Sequence, residues 1–171
     1  MRALPRRALL ALDITGAPVG RVWAIPGALE QVIDNLLANA LRVSPPSTTI
    51  TLHRTPGTRL DVIDQGPGMN EADRARAFDR FWRASGTHHD GTGLGLPIVR
   101  HLVDASGGTV TLHPAPGTGL DARVELRPGT GLDARVELRR ATASPRGPGP
   151  TAGGHRSSGG PKKISLTSRR A

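Results

Sequence analysis

The sequence predicts an α+β fold, a two-layer α/β sandwich in which a mixed sheet carries its helices on one face. Three observations lead there. Apolar residues recur at three- and four-residue steps over residues 28–41 and again over 94–105, the period of amphipathic helices. Short β-rich runs fall at 48–53, 60–63, 109–113 and 120–126. Pro and Gly mark the joints between them, and strands interspersed with helices on one side bury one face of a sheet under one layer of helices.

Residues 1–16 show no clear period. Residues 19–25 read as a strand with Val19, Arg21, Trp23 and Ile25 on one face, broken by Pro26-Gly27. From Ala28 the residues Leu29, Val32, Ile33, Leu36, Leu37, Ala40 and Leu41 form a helical stripe that Pro45-Pro46 ends. The turn Thr55-Pro56-Gly57-Thr58 joins the next two strands as a hairpin. Asn70 is a cap for a helix reaching Phe81, with Asp73 placed in its first turn to suit the helix dipole. Residues 85–93 are polar and Gly-rich and predict a mobile loop. The second apolar helix tolerates Pro97 in its first turn and stops at Gly107-Gly108, and two strands close the sheet.

The chain has 171 residues, enough for one domain, and no Cys, which excludes disulfides and thiolate metal sites. No apolar run approaches the ~18 residues of a membrane span. The basic-then-apolar start resembles a short signal peptide until Asp13 ends it, so the expected location is cytoplasmic. The formal charge of +9 sits in a tail: residues 140–171 hold seven Lys and Arg and no acid. The other 139 residues carry 16 basic and 14 acidic side chains, a net of +2. That tail lacks Trp, Tyr and Phe to stack on bases, so it reads as a solvated, disordered end and no nucleic-acid partner is expected.

Four segments carry the chemistry. In Asn35-Leu36-Leu37-Ala38-Asn39-Ala40-Leu41-Arg42, the two Asn lie four residues apart on one helix face, with Arg42 about a turn beyond. Amide oxygens suit a Mg²⁺ that keeps waters and bridges phosphates, and Arg42 suits phosphate charge. In Asp64-Gln65-Gly66-Pro67-Gly68-Met69, a carboxylate at a strand end accepts from an adenine amine, Gly66 and Gly68 permit close backbone approach, and Met69 packs on a ring. Phe78-Asp79-Arg80-Phe81, with Trp82, reads equally as a core anchor or a lid anchor. Gly91-Thr92-Gly93-Leu94-Gly95-Leu96 is neither a P-loop nor a dinucleotide fingerprint. It is a flexible loop entering a helix N-terminus, where free N–H groups and the dipole favour phosphate. His88-His89-Asp90 does not form a metal cluster by spacing, and His101 is expected to be packed or hydrogen-bonded.

Singly these segments are unspecific, since two surface Asn or an Asp-Gly turn need no ligand. In this order they resemble the N, G1, F and G2 boxes of the ATP-binding catalytic domain of sensor histidine kinases, within the GHKL superfamily that also holds gyrase, a heat-shock chaperone and a mismatch-repair ATPase. The resemblance implies a Bergerat-type ATP-binding fold over residues 17–128, with ATP and Mg²⁺ as cofactors. It implies Asn39 as the Mg²⁺ ligand, Asn35 and Arg42 beside the phosphates, and Asp64, Gly66, Gly68, Met69, Phe78, Thr92, Gly93, Leu94, Gly95 and Leu96 around the nucleotide. Residues 70–92 would be a lid over it. Asn35 stands where gyrase-like relatives have a water-activating glutamate, which favours transfer to a protein acceptor over hydrolysis. Val43 stands where the family has an aromatic residue.

The phosphoacceptor-histidine hairpin of a full kinase would lie upstream, and all six histidines fall at or after His53. The implied function is therefore transfer of the ATP γ-phosphate to a histidine supplied in trans, with a response regulator indirectly downstream. The alternatives are an anti-sigma-factor-type serine kinase, against which the F box argues, and a non-catalytic nucleotide-binding remnant. Residues 116–127 recur unchanged as 128–139. One copy is expected in the last strand and the other as an extra edge strand or loose segment, without a sequence basis for choosing. The expected organisation is an N-terminal remnant or linker (1–16), the ATP-binding domain (17–128), the duplicated segment (128–139) and the tail (140–171).

Overall fold

The structure, a computed structural model, describes residues 11–17, 20–84, 92–129 and 132–133. Its strands are β1 (Ala11–Gly16), β2 (Arg21–Trp23), β3 (Thr49–Thr55), β4 (Arg59–Ile63), β5 (Thr109–Pro114), β6 (Leu120–Glu125), β7 (Arg127–Pro128) and β8 (Leu132–Asp133). Its helices are α1 (Ala28–Val43), α2 (Glu71–Arg76) and α3 (Gly95–Ala105). Five strands make the main sheet in the order β1-β3-β4-β6-β5. It is mixed: β1 runs parallel to β3 and every other pair is antiparallel.

One face of that sheet is the core. Ile50 and Leu52 of β3, Leu60 and Val62 of β4, and Ala122 and Val124 of β6 alternate inward and are at most 5 % exposed. Against them lie Val32, Ile33, Leu36 and Leu37 of α1 and Val99 and Val103 of α3. The apolar stripe read from α1 is the buried one, apart from Leu41, which is 51 % exposed. The opposite face is polar. There Asp61 is nonetheless only 2 % exposed, because Arg59 and Arg123 cover it at 2.9 and 3.3 Å.

Three local readings need correction. Residues 11–16, for which no period was evident, are edge strand β1, paired with β3 through main-chain hydrogen bonds; its side-chain pattern is one short alternation, Leu12 and Ile14, of which Ile14 packs against the core. The helix expected from Asn70 to Phe81 ends at Arg76: the Asn70 side-chain Oδ1 accepts from Asp73 N–H at 2.7 Å as foreseen, but Phe81 sits at φ 63°, which no helix accepts. His101 is exposed rather than packed.

The β2 strand does not join the main sheet. It lies between β7 and β8 in a three-stranded sheet. Arg21, Trp23 and Ile25 do share a face, the exposed one, while Val22 is fully buried. The first copy of the repeated segment supplies β6, and β8 comes from the second. The remnant, loop and tail expectations for residues 1–10, 85–91 and 140–171 lie outside the described residues.

Candidate functional site

A cavity of about 290 Å³ opens where the C-terminal half of α1 meets the N-terminus of α3. From α1 come Asn35, Ala38, Asn39, Arg42 and Val43. The helical repeat puts 35, 38, 39 and 42 on one side of α1, away from the stripe that grips the sheet. From the opposite side come Thr92, Gly93, Leu94, Gly95 and Leu96, followed by Pro97 and Ile98 in the first turn of α3. Met69, Ala77, Trp82, Arg83 and Ala84 complete the wall.

The α3 N-terminus is built to leave donors free. Leu94 precedes the helix and offers no side-chain cap; Ile98 N–H already bonds the Leu94 carbonyl at 3.0 Å, and Pro97 has no N–H. The amides of Gly95 and Leu96 therefore lie at the positive end of the helix dipole without an intrahelical partner. The Asn35 Nδ2 donates to the Gln31 carbonyl at 2.8 Å. That bond turns Oδ1 toward α3, and a Cβ on Gly95 would stand 3.5 Å from it. Asn39 makes no hydrogen bond among the described residues, so its amide is available at the wall. No group of three or more His, Cys, Asp or Glu gathers among the described residues. A cation here would be held by amides, waters and its own ligand's oxygens rather than by a carboxylate cage.

The loop is shaped at its base by Gly93. It has φ +68° and its Cα faces Phe81, so that a Cβ would approach the Phe81 Cα to 2.9 Å. The Phe81 N–H donates to the Gly93 carbonyl at 3.1 Å, joining the F-box end to the glycine loop. Phe81 itself is 71 % exposed. Phe78 is not on the cavity wall: it packs against the core with the Arg100 guanidinium 5.1 Å above its ring.

Asp64, Gly66 and Gly68 are also not on the wall, though Gly66 adjoins the wall residue Val43. Asp64 is 4 % exposed. Its Oδ1 accepts from Gly66 N–H at 2.8 Å and Leu120 N–H at 3.2 Å, while Oδ2 has no partner among the described residues. Burial raises its pKa above the ordinary carboxylate value, opposed by those two bonds. A Cβ on Gly66 would meet Val43 Cγ2 at 2.9 Å, so that glycine lets α1 close on the aspartate.

The structure thus brings Asn35, Asn39, Arg42, Met69, Thr92, Gly93, Leu94, Gly95 and Leu96 to one cavity, with Asp64, Gly66 and Gly68 adjoining and Phe78 apart. Sequence reasoning named Trp82 as a core or lid anchor without placing it on the cavity wall, and it missed Gly119. With φ +125° and its Cβ position 2.1 Å from the Asp64 carbonyl oxygen, Gly119 lets the β5–β6 turn dock on Asp64, but only the sheet pairing reveals this.

Comparison with known proteins bears on the family and the fold. The family described as histidine kinase-, DNA gyrase B-, and HSP90-like ATPase matches residues 24–130. The sensor-like histidine kinase SenX3 of Mycolicibacterium smegmatis is 38 % identical over 112 residues, which is 61 % of this chain and 29 % of that protein. The probable sensor histidine kinase TcrY of Mycobacterium tuberculosis is 41 % identical over 116 residues, 63 % of this chain and 24 % of its own. The chain therefore spans under a third of the length of these relatives. Among solved structures, the mycobacterial sensor histidine kinase MprB superposes with a TM-score of 0.61 at 28 % identity, covering 72 % of this chain and 86 % of that one. The ATP-binding domain of PrrB from Mycobacterium tuberculosis shares the fold, with a TM-score of 0.57 at 23 % identity over 71 % and 82 % of the two chains. With the four boxes in order, the cavity between α1 and α3 and a match over most of the described residues, the chain belongs to the histidine kinase-, DNA gyrase B- and HSP90-like ATPase family, as an ATP-binding catalytic domain of the sensor histidine kinase type.

Proposed function

We propose that this domain binds ATP with Mg²⁺ in the α1–α3 cavity and presents the γ-phosphate to a histidine supplied by another domain or chain, from which a response regulator is phosphorylated in turn. The observation that carries this reading is the convergence of Asn35, Asn39 and Arg42 with the 92–96 loop on one cavity. Each side supplies what the other lacks. The loop and α3 offer N–H donors for phosphate oxygens, Arg42 offers a permanent positive charge, and Asn39 offers a neutral oxygen for the ion.

The ion, when bound, offsets phosphate charge during transfer. The chain's own residues orient the phosphates and exclude competing geometry, which is most of what phosphoryl transfer requires. Asn35 holds its oxygen toward the α3 amides and cannot act as a base, so activation of water is not part of this site. Asp64 Oδ2 reads the adenine amine, and Met69 and Trp82 flank the base. The expected setting is the cytoplasm, where ATP is supplied; no helix among the described residues is long and apolar enough to cross a membrane.

Calorimetric titration with a non-hydrolysable ATP analogue tests this. The parent should bind more tightly with Mg²⁺ than without it. Asn39→Ala should abolish that difference while leaving metal-free binding within about threefold; an unchanged Mg²⁺ effect would reject Asn39 as the ligand. Incubation with γ-labelled ATP and an isolated histidine-hairpin domain then separates the acceptor classes. An acid-labile product supports histidine transfer, and an acid-stable one supports a serine acceptor.

A further inference from the structure

The β6 strand lies between β4 and β5, so it is an interior strand of the main sheet. Val124 is fully buried, and Leu120 and Ala122 are 4 % and 5 % exposed. Its leading turn also fixes the candidate site, because Asp64 N–H bonds the Leu120 carbonyl at 3.0 Å while Leu120 N–H returns to the Asp64 carboxylate. Every residue making these contacts has an identical counterpart twelve positions later, since residues 128–139 repeat 116–127. Because the two copies are identical, a shift of one copy returns the same side chain to every position of the strand and so preserves which side chains face the core.

We propose that the slot between β4 and β5 has two competent occupants in this chain, and that residues 132–137 replace 120–125 there when the first copy is disabled. The shift would place Gly131 and Leu132 against Asp64 and Val136 in the core, with the first copy looped out between β5 and the incoming strand. Two features make the observed register the major one. The five-residue connection from Pro114 to Leu120 would lengthen by twelve, which lowers closure probability roughly sixfold. Gly129 also lies against Trp23, where a Cβ would stand 3.0 Å from the Trp23 Cβ; the shifted chain brings Ala141 to that place.

Copy-specific substitution in the full chain tests the proposal. Val124→Asp puts a charge in the core of the observed register, and Val136→Asp does the same for the shifted one. The expected result is a cooperative thermal transition for each single variant and loss of that transition in the double variant. Failure of Val124→Asp alone to fold would overturn the proposal, as would a double variant that folds like the parent. A cross-link gives the positive readout. Thr109 pairs with Glu125 across β5 and β6, and the chain has no native Cys. In the Val124→Asp background, Thr109→Cys and Glu137→Cys should be joined by a short bifunctional thiol reagent. A folded Val124→Asp protein in which they are not joined would also overturn it.

Discussion

Asp64→Asn should reverse the base preference of the site while leaving the fold intact. The Asp64 carboxylate is held asymmetrically. Oδ1 accepts two backbone N–H groups, from Gly66 and Leu120, and Oδ2 has no partner among the described residues. An asparagine has one oxygen, and the two backbone donors fix where it goes. Turned the other way, its NH₂ would face both N–H groups at distances of 2.8 and 3.2 Å, leaving donors opposed to donors in a buried place. So the amide nitrogen must occupy the Oδ2 position, the one the proposed function assigns to the base.

A 6-amino purine then meets a donor with a donor. The variant loses a hydrogen bond to a charged acceptor, about 1.5–3 kcal/mol, and leaves a desolvated N–H unpaired, about 1–3 kcal/mol. Because these overlap, we take about 3 kcal/mol, or roughly 150-fold weaker binding of an ATP analogue. A 6-oxo purine meets the same donor with an acceptor and should bind at least about tenfold more tightly than the 6-amino analogue. Calorimetry with non-hydrolysable ATP and inosine triphosphate analogues reads both numbers, and a thermal melt confirms folding. If folded Asp64→Asn binds the ATP analogue as tightly as the parent, Asp64 does not read the base.

Four further outcomes are expected. Removing the Asn39 amide should cost the Mg²⁺ dependence of binding, as set out above. The pH dependence of Asp64 has a definite sign: burial raises its folded pKa above the unfolded value of 3.8, so its contribution to stability is full below that pH and is lost as pH rises through the raised value. Parent melts compared with Asp64→Asn from pH 3 upward should show the parent losing ground over that window, and a gap that widens in the parent's favour would refute it. Gly93→Ala should cost about 1–3 kcal/mol, because φ +68° and the 2.9 Å approach to Phe81 both exclude a Cβ; denaturant midpoints report it. Asp61→Asn should lower stability by about 1–2 kcal/mol without changing nucleotide affinity, since it weakens ties to two half-exposed arginines on the face opposite the helices.

Much of the fold was legible because local chemistry dictates it. The α1 stripe, the Asn70 cap, the Thr55–Thr58 turn and the Gly107-Gly108 stop all act within a few residues of where they are written. What could not be read was non-local. β1 is an edge strand held to β3 by main-chain hydrogen bonds, and its alternation is only the pair Leu12 and Ile14, too short to stand out before the pairing is known, although Ile14 packs against the core. The helix after Asn70 stops at Arg76, and beyond it the chain continues in turns, with Asp79 N–H on the Arg76 carbonyl and Phe81 N–H on the Gly93 carbonyl, a partner twelve residues further on.

The same division runs through the site. Asn35, Asn39 and Arg42 share a face because the helix repeat requires it, and the sequence shows that directly. Asp64 is different. Its motif states which residue is present, but not which of its oxygens is free. That depends on Leu120, 56 residues away, and on Gly119, whose missing side chain allows the turn to reach the Asp64 carbonyl. The carboxylate oxygen left without a backbone partner is thus selected by a strand that belongs to none of the four motifs. That strand is also the one the chain carries twice, so any event that exchanges the copies must rebuild the Leu120 bond with Leu132 to keep the aspartate oriented. Asp64→Asn read in the Val124→Asp background joins the two ideas: the same reversal of base preference there would mean the second copy orients the aspartate as the first does, and its absence would mean the exchanged strand fails to reach it.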